Sequence, residues 1–272
     1  MVGRQALKIK KRITMMRCNI LPKMLLCGLI GAASAAFAQS PAPTAATPKH
    51  AVATKPAPVP RTEADASTPK LFKMNRHQEF MKRKAEGPVG LVFLGDSISD
   101  WWPRKGPTVW AKFAPHNPAD FGIAAMRTEG LLWNITNGEL DGLKPKAAVI
   151  LIGVNNILQC PDEKPEWVAA GITKIVATVH EKMPETKVLL LAIFPARNPA
   201  DHPARARIAA VNQLIAKLDD GNKTRFLDLG KLFLTADGTV RTDLMPDALH
   251  PNTKGYQVWY DAMMPVLGEM LK

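Results

Sequence analysis

Val89-Gly90-Leu91-Val92-Phe93-Leu94-Gly95-Asp96-Ser97 sets a short apolar run against a glycine and two small polar residues. The run is too short for a helix and reads as a buried strand over 89–94, with Gly95 permitting a tight turn at its end. Residues 147–152, after Lys144-Pro145-Lys146, form a second such run. A third covers 187–194, closed by Pro195, and a weaker fourth covers 225–229. Residues 120–123 read as the end of a further short strand. Helical patterns separate the runs. Leu131, Leu132 and Ile135 share one side over 128–138, and Ile172, Ile175, Val176 and Val179 share one face over 167–182. Ile208, Val211, Leu214, Ile215 and Leu218 do the same over 204–218. A charged amphipathic helix opens the sequence pattern at 71–84, and another closes it at 256–271. Strands alternating with helices predict an α/β fold with a parallel sheet covered on both faces. In such sheets ligands bind at the carboxyl ends of the strands, so the residues just after each strand carry the functional question.

The first 23 residues carry Arg4, Lys8, Lys10, Lys11, Arg12, Arg17 and Lys23 and no acid. An apolar run follows and ends in Ala36-Phe37-Ala38. A basic start, a short apolar stretch and a small-residue exit are expected of a secretory signal peptide over 1–38. The alternative, an uncut membrane anchor, is disfavoured because spanning a bilayer takes about 20 apolar residues. Translation from Met15 or Met16 would shorten the unusually long basic segment. From Gln39 to about residue 70 the composition turns to Pro, Ala, Thr and Lys, which predicts a disordered linker over 39–70. The folded domain is then expected over 71–272. The 36 basic and 24 acidic residues give a net charge of +12. Removing 1–38 takes away seven bases and no acid, leaving 29 against 24, or about +5. That mild surplus, with no basic stripe interleaved with aromatics, argues against nucleic acid as a partner. Cys18, Cys27 and Cys160 show no metal-ligand spacing, and Cys160, left alone after export, makes no internal disulfide.

Three motifs fall just after predicted strands or before the last helix. Gly95-Asp96-Ser97 places Ser97 at a strand end and near a helix start, where free N–H groups suit a developing oxyanion. Alone it reads equally as a helix cap. Asp247-Ala248-Leu249-His250 brings a carboxylate three residues from an imidazole. A serine hydroxyl needs such a base, held in one tautomer by an acid. The other histidines lack this setting: His50 lies in the linker, and His77, His116, His180 and His202 have no matching carboxylate at a strand end. Gly153-Val154-Asn155-Asn156 supplies a side-chain amide after the second run, a ready oxyanion donor, though Gly and Asn also favour plain turns. Each motif is weak by itself; together they provide a nucleophile, a base–acid pair and a donor.

This set of blocks resembles the SGNH (GDSL) hydrolase family, and most closely the bacterial relatives of the platelet-activating factor acetylhydrolase catalytic subunits. The resemblance runs from about Leu91 to the C-terminus. It also takes in Phe121-Gly122-Ile123, Arg127-Thr128-Glu129, Leu132-Trp133, Asn137-Gly138-Glu139-Leu140 and Leu249-His250-Pro251-Asn252 with Gly255-Tyr256. It implies a flavodoxin-like three-layer α/β/α sandwich with a parallel sheet of about five strands. It implies ester hydrolysis without a metal or other cofactor, with Ser97 as nucleophile, His250 as base and Asp247 as its partner. Asn155 and the backbone N–H of Ser97 are then oxyanion donors, together with the N–H of Ala125. Here the chain departs from the family: Ala124-Ala125-Met126 stands where relatives usually carry Gly-Gly-Asp. Ala125 keeps its N–H, but its methyl crowds the acyl group, or resists a positive φ if the loop needs one. Met126 replaces an acid, so whatever that acid held is unheld.

Trp101 and Trp102 follow the nucleophile turn and are expected either to line a substrate pocket or to pack at the domain edge. Met126 and Arg127 are further candidates for substrate contact, as is Arg197, although arginines near a sheet end are more often salt-bridged structure. The expectation is an exported serine esterase, periplasmic or secreted, acting on short acyl esters of a glycan or lipid-like alcohol. No stable membrane insertion is expected after signal cleavage, and the family leaves a homodimer open. Two alternatives remain: a non-catalytic binding or scaffold member of the fold, and a lysophospholipase or thioesterase acting on long chains.

Overall fold

A computed structural model describes residues 74–272. The expected signal peptide and linker, and residues 71–73 of the expected opening helix, lie outside the described residues. Helix α1 covers Met74–Ala85 and leads into β1, Leu91–Gly95, whose five residues are all buried. Three one-turn helices follow: α2 (Ser97–Asp100), α3 (Trp102–Lys105) and α4 (Pro107–Trp110), then a 3₁₀ turn at Ala111–His116. Pro103 and Pro107 each stand in the first turn of a new helix, where the missing N–H costs nothing but an earlier helix cannot continue through.

Strand β2 (Pro118–Gly122) precedes α5 (Thr128–Asn134), which widens into a π turn at Ile135–Glu139. The helix expected over 128–138 is regular to Asn134 and breaks at Asn137 (φ −105°, ψ 43°) and Gly138 (φ 96°), where the chain kinks. Then come β3 (Ala147–Leu151), α6 (Val154–Gln159), α7 (Pro165–Lys182), β4 (Lys187–Leu191), α8 (Pro203–Ile215), β5 (Thr224–Leu227) and α9 (Thr253–Met270). The five strands are parallel and ordered β2-β1-β3-β4-β5. The chain steps one way from β1 to β2 and the other way from β2 onward. With right-handed crossovers, these two directions put the connecting helices on opposite faces. Helices α5, α7 and α8 pack against one another as one layer, and α9 packs with α3 and α4 as the other.

An aromatic group fills the space under α9. Trp102 lies with its ring centroid 4.1 Å from Trp259, 5.1 Å from Tyr256 and 5.3 Å from Phe93. Burying Trp102, Trp259 and Tyr256 completely removes about 150–250 Å² from water for each side chain, which makes them leading contributors to the core. The Tyr256 hydroxyl donates to the Ile98 carbonyl at 2.8 Å and so ties α9 to the turn after β1. No described helix is long and apolar enough to cross a membrane.

Candidate active site

The sheet order reverses at β1, so its carboxyl end opens into the crevice where ligands of open α/β sheets bind. Gly95 closes the strand. A Cβ there would lie 2.5 Å from the Leu151 carbonyl and 2.5 Å from Ser99 Oγ, so no larger residue lets the chain turn so tightly. Asp96 caps α2: its Oδ1 accepts from the Ile98 N–H at 2.9 Å. Ser97 follows as the first helical residue, 6% exposed. Its Oγ stands 2.9 Å from His250 Nε2.

His250 sits in the loop before α9. The Asp247 carboxylate holds it from two directions, with Oδ2 2.6 Å from His250 Nδ1 and Oδ1 2.7 Å from the His250 N–H. The Leu249 N–H donates to the same Oδ1 at 3.1 Å. Partial burial pulls the Asp247 carboxyl upward, but the hydrogen bonds from the His250 ring and backbone outweigh it and hold the group below the ordinary aspartate range. Bending the loop this tightly puts Ala248 at φ 54°, and its carbonyl accepts from the Arg197 N–H at 2.9 Å. Trp101 lies against the imidazole with a centroid distance of 4.1 Å. The two rings form part of a cleft of about 180 Å³ that Lys105, Pro246 and Asn252 also line. A larger groove of about 390 Å³ runs between α8 and the β5 side of the sheet, lined by Ile208, Asn212, Phe226 and Leu234 among others, and no residue of the Ser97 site borders it.

The amide of Asn155 reaches the neighbouring strand end. Gly153 turns the chain after β3 at φ 119°, a conformation that favours glycine, and a Cβ there would lie 2.8 Å from Ile193 Cδ1. Asn155 Nδ2 donates to the Met126 carbonyl at 2.9 Å, and its Oδ1 accepts from Gln159 Nε2 at 3.0 Å. These two bonds fix which end of the amide faces which neighbour. A side-chain amide has two N–H groups, so one remains for an incoming oxygen. Ala125 does adopt the conformation that its methyl resists: φ is 65°, in the left-handed region. It is exposed, unlike the buried Met126 beside it.

Ser97, Asp247 and His250 thus form one hydrogen-bonded line, and β1, β2 and β3 bring Ser97, Ala125 and Asn155 to the same end of the sheet. Trp102 and Met126 are fully buried and present no surface to a substrate. Arg127 is engaged with Glu129 at 2.7 Å and with Cys160 Sγ at 3.2 Å. Gln159 went unmarked in the sequence and Asn156 had no role of its own within the Gly153–Asn156 motif, although the spacing of four from Asn155 to Gln159 on a helix is a signal for the first. Among the described residues no group of three or more His, Cys, Asp or Glu is arranged to hold a metal ion.

Comparison with known proteins gives the family. Residues 93–258 match the model of the GDSL-like Lipase/Acylhydrolase family. The chain is 32% identical to the platelet-activating factor acetylhydrolase IB subunit alpha1 of Bos taurus, over 75% of this chain and 84% of that one. It is 30% identical to the alpha2 subunit of Rattus norvegicus, over 74% and 85%. A solved structure described as a putative platelet activating factor from Streptococcus pneumonia superposes with a TM-score of 0.61 at 20% identity, covering 73% of this chain and 94% of that one, which speaks for the fold. The chain belongs to the GDSL-like lipase/acylhydrolase family, and is a hydrolase acting on esters.

Proposed function

We propose that the protein hydrolyses short-acyl carboxylic esters by acyl transfer through Ser97. The observation that carries this reading is the unbroken line from Ser97 Oγ to His250 Nε2 at 2.9 Å and from His250 Nδ1 to Asp247 at 2.6 Å. With its Nδ1–H donated to Asp247, the imidazole keeps the Nε2 lone pair for the hydroxyl proton. Ser97 Oγ attacks the ester carbonyl as that proton passes to His250. The carbonyl oxygen becomes an oxyanion, received by Asn155 Nδ2 and the N–H groups of Ser97 and Ala125. Collapse breaks the C–O bond to the alcohol, which leaves with the proton from His250. Water then attacks the acyl-enzyme by the same route and frees the acid and Ser97.

A short acyl group is supported by the exposed Ala125, which puts a methyl where relatives usually have glycine, and by the acetylhydrolase names of the curated relatives. The cleft beside Trp101 and His250 is the place for the alcohol, a glycan or lipid-like group. The basic, apolar and Ala-rich start supports export to the periplasm or beyond. The test is a series of chromogenic esters from acetate to palmitate with wild type and Ser97→Ala. Activity should peak at the shortest chains and fall at least 10³-fold in the variant, as removal of a triad member does. Equal rates in both proteins would point to a binding or scaffold role. A peak at long chains would point to a lysophospholipase or thioesterase.

A further inference from the structure

Ala125 occupies a left-handed backbone conformation that L-residues avoid, and such strain persists only where the surroundings over-determine it. The bonds around residues 123–128 show what does so. Within the loop, the Met126 N–H donates to the Ile123 carbonyl at 3.0 Å. From outside, two consecutive asparagines of α6 grip it. Asn155 takes the Met126 carbonyl, as described. Asn156 takes the other side: its Oδ1 accepts from the Thr128 N–H at 3.0 Å, and its Nδ2 lies 3.1 Å from Thr128 Oγ1. No side chain of its own segment caps α5, so Asn156 supplies that cap from across the crevice. The same Nδ2 lies 3.3 Å from Glu129 Oε2 and 3.3 Å from Glu163 Oε1. Asn156 is completely buried and out of reach of a substrate.

We propose that Asn156 is a positioning residue, which acts through Thr128 to hold the 124–128 loop so that the Ala125 N–H faces the oxyanion. This rests on the acyl-transfer reading above, in which that N–H is a donor. An amide is the group this position requires. It must accept from a backbone N–H on one side and donate toward a hydroxyl and two carboxyl groups on the other, which neither a carboxylate nor an apolar side chain does. Releasing the clamp lets Ala125 relax out of the left-handed region and turns its N–H away, a change felt in the transition state and not in substrate binding.

The test compares four proteins on an acetate ester: wild type, Asn156→Ala, Ala125→Gly and the double variant, with circular dichroism to establish folding. Asn156→Ala should lower kcat by roughly 10²-fold, the effect of losing one oxyanion donor, with KM changed less than about threefold. Glycine takes a positive φ freely, so Ala125→Gly should raise kcat about tenfold more in the Asn156→Ala background than in wild type. If Asn156→Ala does not fold, Thr128→Val replaces it. That change removes only the hydroxyl that faces Asn156 Nδ2, and it should show a smaller kcat loss with the same dependence on Ala125→Gly. A folded Asn156 variant with kcat within threefold of wild type, or an Ala125→Gly effect equal in both backgrounds, overturns the proposal. Ser97→Ala in the same assay separates the two levels: if it is inert and Asn156→Ala is fully active, only the positioning role fails. If Ser97→Ala is fully active, the acyl-transfer reading fails and the positioning role with it.

Discussion

Replacing Asp96 by asparagine should change how stability depends on pH, and the structure sets the size of the change. Asp96 is completely buried one residue before Ser97. Burial raises its carboxyl from 3.8 to about 7, against the smaller opposing effect of the backbone N–H groups at Ile98 and Asp96 itself. In the unfolded chain the group ionises near 3.8, so between the two values the native state holds a proton that the unfolded state has lost. Stability therefore falls as pH rises through this window, is undiminished below it and is level above it. At about 1.4 kcal/mol per pH unit the swing is roughly 4 kcal/mol. Asp96→Asn never ionises and keeps an oxygen for the Ile98 N–H. It also places amide hydrogens where Asp96 Oδ2 has no partner, at a cost of about 1–3 kcal/mol at every pH. Two crossing curves are expected: the variant is the less stable protein at pH 4.5 and the more stable one at pH 8.5. Asp120, raised to about 8 by burial, adds a slope of its own to both proteins, so the difference between them is the quantity to follow. Urea unfolding across that range measures it. A difference independent of pH would refute the reasoning and show that Asp96 is ionised in the fold.

Trp102→Ala empties a fully enclosed site between Phe93, Trp259 and Tyr256 and should cost about 3–5 kcal/mol, read from the urea midpoint. Gly153→Ala combines a positive φ with a methyl 2.8 Å from Ile193 Cδ1 and should cost about 2–4 kcal/mol, with activity lost as Asn155 is displaced. Asp247→Asn should lower kcat about 10⁴-fold by releasing the His250 tautomer, while the melting temperature moves by only a few degrees because the Asp247 side chain is half exposed.

Four strands were legible because buried parallel strands are continuous apolar runs, while β2, with Asp120 inside it, showed only its end at 120–123; all five pair in one sheet. Their ends were less so: the run at 187–194 stops pairing at Leu191, because only hydrogen bonding to β5 defines a strand there while burial continues through Phe194. The stretch from Ile98 to Asn117 carried no readable period. It consists of one-turn helices restarted at prolines, with its order supplied by Trp102, Trp110 and Phe113 packing across the chain to α9. Ser97, Asn155, Asp247 and His250 could be picked out because each belongs to a short motif beside an element end. The role of Asn156, though it stands in the same motif as Asn155, was not readable, since it lies in a hydrogen bond to Thr128, 28 residues away. The requirement for a positive φ at residue 125 was visible only as a condition; in the fold the loop starts at Ile123, whose N–H donates to the Gly95 carbonyl, and is held after Ala125 by Asn155 at Met126 and Asn156 at Thr128.

The two halves of the site are anchored by different means. Gly95 pairs in register with both Gly122 and Leu151, so β1, β2 and β3 end level with one another. Ser97, Ala125 and Asn155 lie two, three and four residues beyond those ends, so the hydrogen-bonded sheet sets the proposed nucleophile and donors at one level, with the Ala125 loop held further by Asn155 and Asn156. His250 follows no strand. It depends on Asp247 within its own loop, on Trp101 against its ring, and on Asn252, which accepts from the Gly255 N–H and donates to the Asp243 carbonyl to start α9. Backbone ladders resist local opening more than a loop held by side chains does. Mild denaturant should accordingly displace His250, the proposed base, before it disturbs Ser97 and Asn155, so that activity declines while the sheet remains intact.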